Sequence, residues 1–159
     1  MSSDDIRWMR EALSLAREAA LAGEVPVGAV VVSNGRRPNE VIARVANRMV
    51  RDKDATAHAE LLAVRQAIRV LGYGRLEQCT IYVTLEPCAM CAGAMVLARV
   101  GRVVLGAWDD KAGMAGSVGD LLRHPRLNHR PEVVAGVLAD ECGDVLSRFF
   151  AERRSVTPT

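Results

Sequence analysis

Aromatic residues are scarce: two Trp, two Tyr and two Phe make up 4% of 159 residues. Bulky stacking groups are therefore few, and each one outside the core is worth tracing. No apolar run approaches the roughly 18 residues of a membrane span. The opening residues, Met1-Ser2-Ser3-Asp4-Asp5, lack the basic and apolar regions of a secretory signal, so a cytoplasmic location is the expectation. Charge of one sign is also lacking. Lys and Arg total 21 against 19 Asp and Glu, a net +2. That balance neither demands nor excludes nucleic acid, because a footprint depends on where charge sits. There is no repeat and no low-complexity tract. What is present is half hydrophobic and a quarter charged, which excludes wholesale disorder. The length fits one domain over 1–159, with a core at about 4–154 and a tail at 155–159 expected to be disordered. Four Cys in a reducing compartment point to metal binding or catalysis before disulfides.

Helical and strand periods alternate along the chain. Ile6, Met9, Leu13, Ala16 and Ala20 predict an amphipathic helix over 4–22, with Asp4 or Asp5 as N-cap and Gly23 as stop. Val-rich 27–32 reads as a buried strand, 33–35 as a turn and 40–45 as a returning strand. A helical period covers 56–71. A strand follows at 80–84, and Pro87 at a first helical position starts a helix over 88–98. Residues 102–106 form a further strand. The stretch 108–131 is irregular, with a short helix near 118–123. A last strand at 132–137 and a closing helix at 139–153 complete an α/β/α three-layer sandwich around a five-stranded mixed sheet.

Two short segments carry the chemistry: His58-Ala59-Glu60 and Pro87-Cys88-Ala89-Met90-Cys91. Cys88 and Cys91 are three apart, so on a helix both sulfurs reach one ion. A helix start also favours thiolates. With His58 they form a soft three-donor set suited to zinc. Three protein ligands leave the fourth position to water, as in catalytic rather than structural sites. Cys79 and Cys142 lack ligand spacing and read as small buried hydrophobes. Residues two apart on a helix do not share a face. Glu60 can therefore meet the metal only over the helix end, as a base for the water there and not as a ligand. The ordered set matches a zinc deaminase signature.

Beyond these segments, 25–154 resembles the bacterial tRNA-specific adenosine deaminase family, within the cytidine deaminase-like fold. The matching stretches are Val25-Pro26-Val27-Gly28-Ala29-Val30, Thr56-Ala57-His58-Ala59-Glu60, and Thr84-Leu85-Glu86-Pro87-Cys88-Ala89-Met90-Cys91. More discriminating are Asp110-Lys111-Ala112-Gly113, Asn128-His129-Arg130 and the closing Arg148-Phe149-Phe150-Ala151-Glu152-Arg153-Arg154. Trp108 stands where this family often has Arg, and the 34–39 loop is longer than its usual hairpin turn. The resemblance implies zinc-dependent hydrolysis of adenosine to inosine at the first, wobble anticodon position of a tRNA. It implies one zinc per protomer on His58, Cys88 and Cys91, with Glu60 as the catalytic acid and base. Asn47 and Ala59 would contact the base, Asp109 a ribose hydroxyl, Trp108 a stacked ring and Arg153 a phosphate. The expected partner is the anticodon stem-loop, and the family implies a homodimer without membrane attachment. Met90, Met95, Val96 and Leu97 fit that, since a helix apolar all round is covered by core or interface.

Basic groups gather at Arg44, Arg48, Arg51 and Lys53, at Arg123, Arg126 and Arg130, and at Arg148, Arg153 and Arg154. They are candidate phosphate contacts. The rival readings are a deaminase of a free base or nucleoside, which needs no basic clusters, and a non-catalytic zinc-stabilised RNA-binding module, which needs a fourth ligand and no Glu60. A redox Cys-x-x-Cys protein would leave His58-Ala59-Glu60 without a purpose.

Overall fold

The chain alternates strands with helices, and a computed structural model describes residues 2–156. Its elements are α1 (Ser3–Leu21), β1 (Gly28–Ser33), β2 (Glu40–Ala46), α2 (Ala59–Leu71), β3 (Cys79–Leu85), α3 (Ala89–Leu97), β4 (Arg102–Ala107), β5 (Glu132–Val134) and α4 (Ala139–Val156). The sheet order is β2-β1-β3-β4-β5. β1 pairs antiparallel with β2 and β3, whereas β3, β4 and β5 run parallel. The strand period of two sorts side chains into two cores. Ala29, Val31, Ile81, Val83, Val103 and Leu105 pack with Ala63, Val64, Ala92 and Met95 of α2 and α3. Val30, Val32, Tyr82 and Val104 face Trp8, Met9 and Leu13 of α1 and Cys142 of α4. Both faces of the sheet are covered, which explains why β1 reads as an uninterrupted apolar run. The three layers and the five-stranded mixed sheet are those the sequence predicts.

Several boundaries differ, each for a local reason. The cap of α1 is Ser2, whose hydroxyl accepts from Asp5 N–H. Asp5 does not cap because its carboxylate turns inward to Arg102 (2.7 and 2.8 Å) and to the Tyr82 hydroxyl (3.1 Å). α2 starts at Ala59 rather than 56, because Asp54 takes the Thr56 N–H and hydroxyl into a turn. α3 starts at Ala89, so Pro87 precedes the cap instead of occupying the first helical position. No helix forms at 118–123. The amides of Ala115 and Ser117 are committed to Glu86, and Ala115 bridges Asp120. β5 stops at Val134, before the left-handed Gly136 and Leu138. α4 continues through Ser155 and Val156, which removes those two from the expected disordered tail; 157–159 lie outside the described residues.

The Asp5–Arg102 pair yields a stability prediction. The Arg102 hydrogen bonds hold the Asp5 pKa down at about 2 against the opposing effect of burial. An acid with a lowered folded pKa stabilises the fold fully above its unfolded value near 3.8, and the contribution is lost as pH falls through about 2. Arg102→Met should cost about 3 kcal/mol at pH 7. This is the low end for a broken buried pair, since Arg102 keeps about a quarter of its side chain in water. Urea melts of both proteins should converge as pH drops from 4 towards 2. A gap independent of pH would mean that packing, not the ion pair, supplies the stability.

Candidate active site

The site lies where the parallel strands β3 and β4 end and the helices α2 and α3 begin. His58 is the N-cap of α2 and Cys88 the N-cap of α3, both in extended backbone. Neither side chain caps its own helix, which leaves imidazole and thiol free to converge. The cap of α2 comes instead from Asn47, just past β2, whose Oδ1 accepts from Ala59 N–H at 2.7 Å. Cys91 sits in the first turn of α3, fully buried.

His58 Nδ1 is 3.6 Å from the Sγ of both Cys88 and Cys91. Zinc bonds of about 2.3 Å to sulfur and about 2.0–2.1 Å to nitrogen at a tetrahedral angle put S and N about 3.5 Å apart. The donor set therefore fits zinc as it stands, and the three ligand atoms all lie within 4.8 Å of one another. Electrostatics agree. Hydrogen bonds from the Cys91 thiol and then His58 bring Cys88 down to about 3, against burial. The hydrogen bond to Cys88, then burial, pushes the Cys91 thiol far up, and the same Cys88 thiolate raises His58. These crowded groups share protons that a divalent cation displaces. Among the described residues this is the one such group. Cys79 and Cys142 are buried elsewhere, as expected, and all four cysteines are free thiols.

Glu60 lies in the first turn of α2, 4% exposed. Burial raises its pKa to about 7, opposed by its own N–H and the nearby His58 charge. A carboxyl poised there accepts and returns protons near neutral pH. Glu60, His58, Cys88, Asn47 and Asp109 line a cavity of about 140 Å³. It opens onto a larger groove of about 680 Å³, with Val25, Leu85, Asp109 and Ala112 shared between the two. Trp108 (48% exposed), Phe150 (43%), Lys111 and Arg154 line the outer groove. Phe149 is core and meets Phe150 edge-on.

The basic clusters divide. Arg44 pairs with Glu11 (2.7 Å), Arg48 with Asp52 (3.1 Å) and Arg123 with Asp120 (2.6 Å). Arg130 donates to Leu127 O, and Arg153 donates to Gly23 O while lying over the Phe149 ring. Arg44 ties β2 to α1, and the other four brace loops and helix ends. Arg51, Lys53, Arg126, Arg148 and Arg154 are exposed, with no side-chain hydrogen bond or ion pair among the described residues. Ala59 is buried with its N–H spent on Asn47.

Sequence reasoning gave no role to two buried carboxylates. Glu24 accepts from the amides of Val50 (3.0 Å) and Arg51 (2.7 Å), pinning the basic 48–53 loop. Glu86 accepts from the amides of Asp109, Ala115 and Ser117 and from the Ser117 hydroxyl. Burial alone would raise the Glu86 pKa, but the donors, led by Asp109 N–H, hold it below the ordinary value. A clue lay in the sequence: an acid wedged in an apolar strand end before Pro87 is buried only with partners.

Residues 3–154 match the MafB19-like deaminase family. The chain belongs to that family. It is 51% identical over 154 residues to the tRNA-specific adenosine deaminase of Bacillus subtilis (strain 168), spanning 97% of this chain and 92% of that one. A solved tRNA:A34 deaminase, studied for A-to-I editing at the wobble position of transfer RNA, superposes with a TM-score of 0.81. Its identity is 43%, over 88% of this chain and 99% of that chain. Guanine deaminase from Nitrosomonas europaea is more distant, with a TM-score of 0.75 and 28% identity over 92% of this chain and 84% of that one. Within the family, this deaminase places its candidate metal donors and Glu60 at the starts of two adjacent helices. No helix among the described residues is long and apolar enough to cross a membrane.

Proposed function

We infer that this chain is a zinc-dependent deaminase that converts adenosine to inosine at the wobble position of a tRNA. The observation that carries this reading is the two-part site. The inner cavity is far smaller than the roughly 300–1,000 Å³ of ordinary ligand pockets, so it suits a single base flipped out of its strand. The outer groove offers exposed aromatic and basic groups that a free base does not need. The relatives named above support RNA over a free base, because the tRNA deaminases are closer in sequence than the guanine deaminase.

His58, Cys88 and Cys91 would hold the zinc, which when bound supplies the Lewis acidity that eases ionisation of water at neutral pH. Glu60 accepts the proton of the attacking water and delivers it to N1 of the purine as oxygen adds at C6. The same carboxylate then takes the remaining proton from the hydroxyl now on C6 and passes it to the departing amine, which leaves as ammonia while the C6 carbonyl forms. One carboxyl thus serves both half-reactions. Asn47 has its oxygen committed to Ala59 N–H, so only its NH₂ faces the base, and it reads a ring acceptor. Buried Ala59 supports the base through Asn47. Asp109 uses Oδ1 to accept from Lys111 and Ala112 N–H, which leaves Oδ2 for a ribose hydroxyl. Trp108 and Phe150 supply ring faces for neighbouring bases. Arg154 reaches a phosphate, and Arg153 fixes that helix end against Gly23.

The test offers the protein an anticodon stem-loop with adenosine at its first position, beside free adenine, guanine, cytosine and their nucleosides. A mass gain of about one unit in the stem-loop is expected. Turnover of a free base with the stem-loop untouched at low salt would replace this reading by the free-base one. Binding should also weaken with salt, with a log–log slope of about −0.7 per phosphate. Arg154→Ala should flatten that slope by about one such step and lower affinity without altering base preference. An unchanged slope would remove Arg154 from the interface.

The whole chain is proposed to act as one deaminase domain in the cytoplasm, where its thiols stay reduced. A homodimer is the further proposal. Met95 and Val96 fill the core, but Leu97 on the same helix is 85% exposed, and Val70 and Tyr73 are exposed on and just beyond neighbouring α2. Sedimentation should give a dimer at micromolar concentration, and a monomer would end this proposal.

A further inference from the structure

We propose that Glu86 is a positioning residue that locks the substrate-facing wall 108–117 to the start of the metal-bearing helix. The inference rests on the RNA-editing reading above for its substrate, but its geometry stands alone. Glu86 lies two residues before Cys88, and its side chain is 1% exposed. Oε1 accepts from Asp109 N–H (2.9 Å) and from the Ser117 hydroxyl (2.5 Å). Oε2 accepts from the N–H groups of Ala115 and Ser117, both at 3.0 Å. All four partners donate, so only a group with two acceptor oxygens satisfies them. The main chain repeats the fastening on either side. Glu86 N–H donates to Ala107 O, and Met114 N–H donates to Pro87 O, both at 2.8 Å. A side chain at Gly113 would collide with the Glu86 carboxyl carbon, so the wall passes directly against this acid.

The consequence is geometric. Asp109 lines both the inner cavity and the outer groove. Cys88 and Asp109 therefore hang from one carboxylate, and the distance from metal to ribose contact is set by it. Small misplacements of such a wall reduce productive binding without touching the reacting groups. Glu86 also borders the inner cavity, but both of its carboxylate oxygens are committed to the wall, so it acts through Asp109.

Glu86→Gln keeps the shape but turns an NH₂ group towards N–H donors, leaving donors unpaired. Three readouts test the idea. Amide exchange in 109–117 should accelerate while α2 and α3 stay protected and zinc content stays unchanged. KM for the stem-loop should rise about tenfold, the scale of one lost contact, with kcat within about threefold of the parent. In an Asp109→Asn background, which keeps the oxygen that caps Lys111 and Ala112, adding Glu86→Gln should raise KM no further, because residues acting as one unit are not additive. Independent multiplication of the two KM effects, unchanged exchange in 109–117, or loss of zinc from Glu86→Gln would each overturn the proposal. Should Glu86→Gln fail to fold, Ser117→Ala removes one donor and leaves the acid. It should produce a smaller KM rise that likewise vanishes beside Asp109→Asn, and a rise that persists there would overturn the proposal. If the parent enzyme leaves the stem-loop unreacted, the functional reading fails, while the exchange measurement still decides whether Glu86 holds the wall.

Discussion

Glu60→Gln should abolish deamination while leaving the chain folded and its zinc bound. The substitution keeps the volume of a side chain that is almost wholly buried. It removes the carboxyl proposed to carry a proton from water to the base. Loss of a general acid and base costs about 10²–10⁴ in rate, or about 3–5 kcal/mol of transition-state stabilisation. Here one carboxyl serves two proton transfers, so the upper end is expected. The melting temperature should hold or rise. Burial pushes the Glu60 pKa up to about 7, so the fold bears a cost for its charge that a neutral amide does not carry. Single-turnover assays with excess enzyme read the chemical step directly. Activity within a factor of three of the parent would reduce Glu60 to a helix-end carboxylate.

The second large effect concerns the metal itself. His58→Ala or Cys91→Ala should take zinc from about one per protomer to near zero, with activity lost in the same step. Even outer partners of a ligand change metal affinity about 10–100-fold, and a direct ligand among only three protein donors exceeds that. Cys142→Ala is the control. That thiol is buried against the opposite face of the sheet with α1 and α4, so the variant should keep its full zinc. Elemental analysis after dialysis against a weak chelator reads all three. Full occupancy in both His58→Ala and Cys91→Ala would dismiss the donor set.

The clustering of His58, Cys88 and Cys91 was legible because it is written in residue type and short spacing. His58, Cys88 and Cys91 need only two helix starts to meet, and helix starts have local signals. The layers were legible for a similar reason: strand and helix periods differ, and each of the five strands carries its own. The boundaries moved where a side chain from far away intervened. Asp5 left its cap for Arg102, and the 118–123 helix was forestalled by Glu86, some 30 residues earlier. Propensity within a window contains neither partner. The basic rim was the least legible part. Arg44, Arg123 and Arg153 look like phosphate contacts in a string of letters, but each meets a carboxylate or carbonyl in space. Telling a bracing Arg from a reaching one needs the neighbour, which the one-dimensional pattern does not name.

The Asp5–Arg102 contact also bears on how the chain is born. The two residues are 97 apart in sequence, so the chain between them must be made before they can meet. Until β4 has been synthesised, α1 holds on its inner face an acid that lacks its Arg102 partner, and the sheet lacks two of its five strands, β4 and β5. Parallel pairing of β3 with β4 likewise waits for α3 to cross over. The strands that α1 packs against, β1, β2 and β3, all precede β4, so Trp8, Met9 and Leu13 can be covered while Asp5 still waits for its cation.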